Sequence, residues 1–412
     1  MDQDQIKFIL NTDQSLIARE VPSQRILEIS IQAPKAVAQN HRPALNLALI
    51  LDRSGSMSGE KLAYVKRAAQ HVLDLLEEQD RIALVAYDDE INLISPSVQV
   101  THHVRKTLKS RIAEIDAGAS TNLSGGWLAG CQEVAASTQC DILNRALLLT
   151  DGLANVGIVD LEELAQHAKE LSRRGISTTT FGVGEGFNEH LLEAMANQGG
   201  GNFYYIATPH LIPELFQREF KELAAVTASE VELIVEMPPH VHAQVPGGWR
   251  VELSEGQMRI FVGSLYSTQQ ADLFIKLLTP PAESQDQLLF KVTLIAKNES
   301  SEPVELKSEV TFAYTSLQAA EAAPKSRQLM ERFAAVDLAE STTEALKLER
   351  LGKNKQAGQV MAQAIAANAP FLPMAQVEEY GDMTERMKHG MAEADRKQSH
   401  YQAYNQKRGK IK

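Results

Sequence analysis

The sequence of 412 residues predicts a doubly wound, mostly parallel α/β domain that is inserted into an antiparallel β-sandwich and followed by a helical region. Three observations predict this fold class. In the middle of the chain, apolar runs that suit buried strands alternate with amphipathic helices. Short strand-like segments flank this part on both sides. The end of the chain has a helical pattern. We therefore expect a β-sandwich of residues 1–42 and 226–315, an α/β domain of residues 43–225, and a helical region of residues 320–412 with a basic tail.

The first 42 residues are predicted to form short strands that need partners elsewhere. Residues Ile26 to Ile31 alternate in polarity, although both faces are partly apolar. Six further strand-like segments are separated by Pro, Gly, Ser and Asn: Glu230–Glu236, Arg250–Leu253, Met258–Val262, Leu273–Leu278, Leu288–Ala296 and Val304–Phe312. Short strands with such turn signals are typical of an antiparallel sandwich. The N-terminal strands need partners, and these later segments form the nearest sheet that has no other source of strands. We therefore expect the N-terminal strands to join it.

Between these two segments, the chain alternates strands and helices. Ala44–Leu51 is an almost continuous apolar run, which suits a strand that is buried on both faces of a parallel sheet. The next segment places apolar residues on one helical face: Leu62, Val65, Ala69, Val72, Leu73 and Leu76. Later strands are predicted at Arg81–Tyr87, Arg145–Thr150, Ile176–Val183 and Asn202–Ile206, with helices near 104–115, 123–137, 161–171, 188–197 and 210–225. This alternation implies right-handed crossovers and a sheet covered on both faces.

The pattern after Pro324 is helical. One long segment ends at a break near Gly352, a second helix is predicted around 354–368, and Pro370 and Pro373 precede a third. We therefore expect three packed helices. The last residues, 396–412, contain six Lys or Arg and no acid, and we expect them to form a frayed, solvated end.

Composition narrows the classes of function. The formal net charge is −12, so the chain lacks the excess of basic residues that is typical of a nucleic-acid-binding protein. Such a charge suits a soluble protein. The two cysteines, Cys131 and Cys140, fit neither a disulfide framework nor a zinc site, and we expect both to be reduced and buried. The N-terminus lacks the features of a signal peptide, and no apolar run approaches the roughly 18–20 residues of a membrane span. We therefore expect a cytoplasmic protein; its oligomeric state stays open.

Oxygen-bearing side chains follow two of the predicted strands and occur in one further loop. Asp52, Ser54 and Ser56 come directly after the first buried strand, and their alternate spacing directs them the same way. Thr121 lies in a loop before a helix, and Asp151 ends another buried strand. Because ligands of doubly wound sheets bind beyond the carboxyl ends of strands, we expect these loops to converge. Two carboxylates and three hydroxyls are hard oxygen donors that suit Mg²⁺, with Mn²⁺ or Ca²⁺ as alternatives.

The pattern Asp-x-Ser-x-Ser, a distant Thr and an Asp before Gly resembles the metal-ion-dependent adhesion site of von Willebrand factor A domains. The resemblance covers about residues 43–225 and implies a Rossmann-like fold. It also implies that the aspartate and serines of the first loop hold the metal, with Thr121 and Asp151 bound directly or through water. In this family a partner's Asp or Glu often fills the open coordination position. The flanking segments Val262–Leu265 and Ala271–Leu278 are similar to bacterial von Willebrand A proteins with a β domain and to inter-alpha-trypsin inhibitor heavy chains.

These features favour a non-enzymatic module that binds a protein partner through a divalent cation. Two alternatives stay open. An adaptor or regulatory subunit of an AAA+ ATPase, MoxR-like or chelatase-like, would share the metal chemistry and differ in the partner. A metal-dependent hydrolase would need a base near a metal-bound water, and only Asp88 or Asp89 could supply one. We expect Arg53 to be a surface cation, and Ser58-Gly59-Glu60-Lys61 to begin a helix rather than form a catalytic Ser-x-x-Lys motif.

Overall fold

The computed structural model of the chain describes residues 5–36, 43–138, 142–282 and 286–409. The chain divides into two compact units. The α/β unit is Ala38–Ala225, and the flanking unit combines Met1–Val37 with Val226–Lys412. Cys131 is a buried thiol without a disulfide, whereas Cys140 lies outside the described residues.

The α/β unit alternates strands and helices. Three strands of the flanking unit precede it: β1 (Lys7–Thr12), β2 (Leu16–Ala18) and β3 (Ser23–Gln32). The strands of the α/β unit are β4 (Leu45–Asp52), β5 (Arg81–Tyr87), β6 (Ile91–Gln99), β7 (Leu143–Thr150), β8 (Ile176–Val183) and β9 (Gly200–Ile206). Its helices are α1 (Glu60–Leu75), α2 (His102–Ala113), α3 (Leu123–Ala136), α4 (Leu161–Arg173), α5 (Glu189–Gln198) and α6 (Ile212–Ala224).

One six-stranded sheet forms the centre of the α/β unit, in the order β6-β5-β4-β7-β8-β9. The strands run parallel except β6, an edge strand that pairs antiparallel with β5 and that the sequence pattern did not predict. Every residue of β4 is buried, because a central parallel strand is covered on both faces; this accounts for its continuous apolar run. β5 lies on one side of β4 and β7 lies on the other, so the order of the strands reverses at β4. Doubly wound sheets bind ligands at the carboxyl ends of the strands where this reversal occurs. The predicted fold class is confirmed.

Seven strands after the α/β unit complete the flanking unit: β10 (Val226–Glu236), β11 (His242–Gln244), β12 (Arg250–Ser254), β13 (Gln257–Tyr266), β14 (Gln270–Thr279), β15 (Gln287–Asn298) and β16 (Pro303–Thr315). One sheet has the order β1-β3-β14-β11 and the other β12-β13-β10-β15-β16-β2. β3 pairs antiparallel with β14 along its whole length, and β2 pairs parallel with β16. Both sheets therefore contain strands from both of the segments that flank the α/β unit.

The two sheets of the flanking unit share one apolar core. Alternate residues of β15 are buried, as expected where one face of a strand packs on a second sheet. The core draws on β3 and β14 of the first sheet and on β10 and β15 of the second, through Leu27, Ile29, Leu273, Leu233 and Phe290 among others. Because β3 lies between β1 and β14, the N-terminal segment supplies the middle of one sheet.

Helices end the flanking unit: α7 (Leu317–Ala322), α8 (Arg327–Arg350), α9 (Asn354–Asn368), α10 (Met374–His389) and α11 (Glu393–Lys407). The expectation of three helices was too simple, because the segment after Pro373 forms two helices separated at Gly390, which has a φ of 91°. The expected frayed end is wrong for the described part of residues 396–412. There α11 buries Tyr404 together with the basic residues Lys397 and Lys407. No helix of the described ranges has the length and apolar character of a membrane span.

Candidate metal site

Asp52 is the last residue of β4, and its side chain is fully buried. Its Oδ1 accepts a hydrogen bond from the backbone N–H of Ser54 at 2.8 Å, and its Oδ2 accepts one from the Thr150 hydroxyl at 2.6 Å. Thr150 ends β7, which is the neighbour of β4. The loops that follow these two strands therefore begin side by side, with the Asp52 carboxylate fixed between them.

The next residues of these two loops carry further oxygen atoms. Ser54 Oγ and Ser56 Oγ are 3.2 Å apart, and Ser56 donates a hydrogen bond to Asp151 Oδ1 at 2.7 Å. Asp151 is buried, whereas Ser56 is exposed. The cluster thus has buried carboxylates and opens to solvent at Ser56.

Thr121 reaches the same cluster from the loop between α2 and α3. A Cβ added to Gly152 would lie 3.3 Å from Thr121 Oγ1 and 3.6 Å from Ser56 Oγ, so both hydroxyls lie beside the residue that follows Asp151. Asn155 holds Thr121 by its main chain: the Thr121 N–H donates to Asn155 Oδ1 at 2.9 Å, and the Asn155 N–H donates to the Thr121 carbonyl at 3.2 Å. The structure therefore brings all the residues of the predicted ligand set together at one edge of the sheet.

Arg53, in the loop after β4, pairs with Asp88, which directly follows β5. The Arg53 guanidinium lies 3.1 Å from Asp88 Oδ2 and 3.2 Å from Oδ1. A Cβ added to Gly118 would lie 1.6 Å from Asp88 Oδ2, so any other residue at position 118 would displace this carboxylate. The expectation that Arg53 is an idle surface cation is wrong, because its side chain is 21% exposed and pairs with a buried acid.

Lys61 is a site residue that the sequence pattern assigned only to the start of a helix. Its Nζ forms a short contact with Asp151 Oδ2 and lies 3.3 Å from the carbonyl oxygen of Ser56. Lys61 lies in the first turn of α1, where the helix dipole disfavours a cation. That local conflict is the signal in the sequence that could have indicated a role for Lys61, since such conflicts concentrate at functional sites.

Electrostatics at this edge favour an added cation. Burial raises the pKa of the Asp52 carboxyl, hydrogen bonds from Ser54 and Thr150 oppose the rise, and the charge of Asp151 adds to it. Burial also raises the pKa of the Tyr87 hydroxyl, and the negative charges of Asp52 and Asp151 add to this rise. Two buried carboxylates and the single ammonium of Lys61 leave one negative charge in excess. Hard oxygen donors with such an excess fit Mg²⁺, Mn²⁺ or Ca²⁺.

The family model that matches this chain lies within the α/β unit. The profile of the von Willebrand factor type A domain matches residues 46–218. An uncharacterized protein of Synechocystis sp. is 32% identical over 237 residues, which are 58% of this chain and 55% of that protein. Inter-alpha-trypsin inhibitor heavy chain H1 of Sus scrofa is 24% identical over 221 residues, 51% of this chain and 24% of that protein. The match thus spans about half of the first relative and a quarter of the second.

Two solved structures are similar over most of the chain. A von Willebrand factor type A protein from Catenulispora acidiphila has a TM-score of 0.72 at 17% identity and covers 93% of this chain and 89% of its own. The ArnB paralog VWA2 from Sulfolobus acidocaldarius has a TM-score of 0.67 at 17% identity and covers 99% of both chains. At this identity the similarity shows the fold: a von Willebrand A α/β fold with additional antiparallel sheets and a helical C-terminal region.

Proposed function

Because the chain contains a von Willebrand factor type A domain, we propose that its α/β unit binds one divalent cation through Asp52, Ser54, Ser56, Thr121 and Asp151. Such domains generally act as metal-dependent protein-interaction modules. One observation carries the proposal: the carboxylates of Asp52 and Asp151 are both buried at this edge, and Lys61 pairs with Asp151, whereas Asp52 is held by hydrogen bonds from Ser54 and Thr150. Mg²⁺ is the expected ion, and Mn²⁺ or Ca²⁺ would suit the same oxygen donors.

Residues of this chain prepare the site for the ion. Thr150 and the backbone of Ser54 orient the Asp52 carboxylate, and Asn155 fixes the loop of Thr121. When bound, the metal supplies a local positive charge that attracts an anionic oxygen. Because Ser56 is exposed, the solvent-facing side of the cluster is accessible to a ligand from another molecule.

That ligand is proposed to be an Asp or Glu carboxylate of a protein partner. Support comes from the loop after β7, which carries the exposed apolar side chains Leu153, Val156 and Val159 beside the cluster. Neighbouring exposed apolar side chains are typical of surfaces that bind other proteins. The backbone N–H of Val156 donates to the Thr121 carbonyl at 3.2 Å, which fixes this loop next to the site. The surface fits an acidic residue that is flanked by apolar side chains.

No observation favours the alternatives. A hydrolase would need a free base, whereas the Asp88 carboxylate is bound by Arg53 and by the backbone N–H of Glu90 at 2.9 Å. Asp89 is exposed, and nothing described directs it to the cluster. We therefore propose a non-enzymatic module; its cytoplasmic location remains a prediction from the sequence.

The metal site is tested by calorimetric titration of Mg²⁺ into the full chain after treatment with chelator. We expect one site in the wild type and none in Asp52→Ala, since this change removes a buried anionic ligand. Asp74→Ala is the matched control: it removes the same charge from α1, where Asp74 forms an exposed pair with Lys109 at 2.5 Å. Unchanged Mg²⁺ affinity in Asp52→Ala would overturn the site.

The partner is tested by affinity capture with the full chain in Mg²⁺ and in excess chelator, followed by mass spectrometry. We expect capture only with metal. The identified partner is then titrated against the wild type and Asp151→Ala. Affinity that survives chelation unchanged would show that the metal is not part of the binding surface.

A further inference from the structure

The chain supplies a cation of its own at the proposed metal site. Lys61 Nζ contacts Asp151 Oδ2, and it approaches the Ser56 carbonyl to 3.3 Å. We propose that Lys61 competes with the divalent cation for Asp151, so that its ammonium neutralises Asp151 in the metal-free protein and withdraws when the metal binds. This inference rests on the proposed function, because it assigns a role to a residue beside the same ligands.

Both oxygen atoms of Asp151 are in contact with other side chains of this chain. Oδ1 accepts the hydrogen bond of Ser56 at 2.7 Å, and Oδ2 contacts the ammonium of Lys61. A metal that binds Asp151 must therefore either share this carboxylate with the ammonium of Lys61 or displace the ammonium. The Asp151 side chain is fully buried, so a divalent ion and an ammonium on the same carboxylate would repel each other with little screening by water.

Lys61 is the group that can leave. Its side chain is 34% exposed and has a long flexible stem, whereas Asp151 directly follows β7 and its side chain is fully buried. A Cβ added to Gly184 would lie 3.6 Å from Lys61 Cε, so the glycine leaves the lysine stem free space on that side. The N-terminus of α1 adds a positive partial charge that opposes an ammonium. Asp151 therefore keeps the Lys61 ammonium in place against this opposing partial charge. A divalent cation, which has the higher charge, can displace the ammonium.

The competition has two consequences. The metal-free site is stable, because its second buried carboxylate is paired. The metal affinity is lower than the same oxygen ligands would give without Lys61, because the ion pair must break first. Removing the ammonium should therefore tighten metal binding and destabilise the metal-free protein.

The test uses the full chain with Lys61→Met, which keeps much of the apolar stem and removes the charge, and with Lys61→Gln as a second neutral variant. Mg²⁺ affinity is measured by calorimetry, and thermal unfolding is measured in chelator and in saturating Mg²⁺. We expect Mg²⁺ affinity to rise on the order of tenfold. The melting temperature in chelator should fall by several degrees, and saturating Mg²⁺ should close this gap.

Two controls separate the ammonium at the site from charge in general. Lys66→Met removes a lysine from the same helix whose Nζ donates to the Ala113 carbonyl at 3.0 Å, and it should leave Mg²⁺ affinity unchanged. Lys61→Arg keeps the positive charge and should keep the weaker, wild-type-like affinity.

Equal or weaker Mg²⁺ binding in folded Lys61→Met and Lys61→Gln, with normal binding by the wild type, would overturn the role of Lys61 and leave the metal site standing. Binding by the neutral variants where the wild type shows none would support the competition in its strongest form. Absence of binding in every protein would overturn the metal site itself and the competition with it.

Discussion

Two buried acids of the flanking unit, Glu28 and Glu349, are neutralised differently from the acids at the sheet edge of the α/β unit. Glu28 is fully buried on β3 and accepts two hydrogen bonds from Arg332, at 2.7 and 2.8 Å. Glu349 on α8 accepts hydrogen bonds from Arg396 at 2.7 and 3.0 Å. An arginine fork matches both oxygens of a carboxylate and fixes its charge within the structure. Asp52 instead receives hydrogen bonds from the hydroxyl of Thr150 and from the backbone N–H of Ser54.

The position of a buried acid, rather than the unit that contains it, decides how its charge is neutralised. Within the α/β unit, Glu219 is fully buried and lies 2.5 Å from the Arg145 guanidinium, with further hydrogen bonds from the hydroxyls of Thr179 at 2.7 Å and Tyr204 at 2.8 Å. This unit therefore neutralises a buried acid where the acid is structural. Burial of a carboxylate alone does not indicate a metal site. Burial without a fixed arginine, at the end of a central parallel strand, is the more specific signal.

The pKa shifts agree with this contrast. Burial is the largest influence on both Asp52 and Glu349, and by itself it raises the pKa of each carboxyl. At Glu349, hydrogen bonds from Arg396 and from the Met391 N–H, with the charges of Arg396 and Arg350, outweigh it and lower the pKa overall. At Asp52 the hydrogen bonds do not outweigh it, so the charged form stays costly until a cation arrives.

The largest expected effect comes from separating the two segments of the flanking unit. A fragment of residues 226–412 lacks β1 to β3, so β14 loses its long antiparallel partner and the apolar core opens. We expect this fragment to show no cooperative thermal transition, whereas residues 38–225 should melt cooperatively and bind Mg²⁺. Circular dichroism and calorimetry measure both. A cooperative melt of the 226–412 fragment would show that its helices and remaining strands suffice.

Removal of an internal arginine should have the next largest effect, on stability alone. Arg396→Ala leaves Glu349 buried without its guanidinium, and breaking such a pair typically costs about 3–5 kcal/mol of unfolding free energy. Urea unfolding measures the loss, and Mg²⁺ affinity of the folded protein should not change. Arg327→Ala, which breaks an exposed pair with Glu331 on the same helical region, should cost less than about 1 kcal/mol. Equal losses in both variants would contradict the distinction.

The side chains that meet at the sheet edge could largely be predicted from the sequence. The pairs that neutralise the buried acids of the flanking unit could not. The strand β4 and its loop are local signals: an apolar run, then Asp52, Ser54 and Ser56 in close order. Parallel-sheet geometry then places Asp151 beside them, because strand ends of neighbouring parallel strands meet at one edge. Local pattern and general topology together were therefore sufficient to predict which oxygen-bearing side chains meet at this edge, although they missed the contact of Lys61 with Asp151.

Contacts between distant, individually unremarkable residues could not be predicted in this way. Glu28 and Arg332 pair across 304 positions of the chain, and either could have been an ordinary surface charge. The chain end was predicted as frayed and solvated because chain termini are often disordered, yet Lys407 is buried and its Nζ donates to the Thr343 hydroxyl at 3.1 Å. Periodicity reports which face of an element is apolar; it does not report which opposite charge the fold brings to a given lysine.

Opposite pH dependences provide a sharper test of the two acids. The folded pKa of Glu349 is lowered from 4.5, so its contribution to stability is present above that value and is lost as pH falls through the folded pKa. The folded pKa of Asp52 is raised from 3.8, so its contribution is present below that value and is lost as pH rises through the folded pKa.

Urea unfolding in chelator, from about pH 3.5 to 7, compares the wild type with Asp52→Asn and Glu349→Gln. Relative to Asp52→Asn, the wild type should lose stability as pH rises; relative to Glu349→Gln, it should lose stability as pH falls. Saturating Mg²⁺ should remove the first trend, because the metal favours the charged carboxylate, and leave the second. Parallel trends for both pairs would refute the contrast between the two acids.

The smallest effect is expected at Thr121, where a neutral ligand can be removed without disturbing its loop. The backbone N–H and carbonyl of Thr121 are both held by Asn155, so Thr121→Val keeps these bonds and the side-chain shape and loses only the hydroxyl. We expect Mg²⁺ affinity to fall about fivefold, or about 1 kcal/mol, because the ion loses one neutral oxygen that water can partly replace. Thr121→Ser keeps the hydroxyl and should retain most of the affinity, and neither variant should shift the melting temperature in chelator. If Thr121→Val binds Mg²⁺ as tightly as the wild type, Thr121 lies outside the coordination shell, and the ion depends on the loops of Asp52 and Asp151 alone.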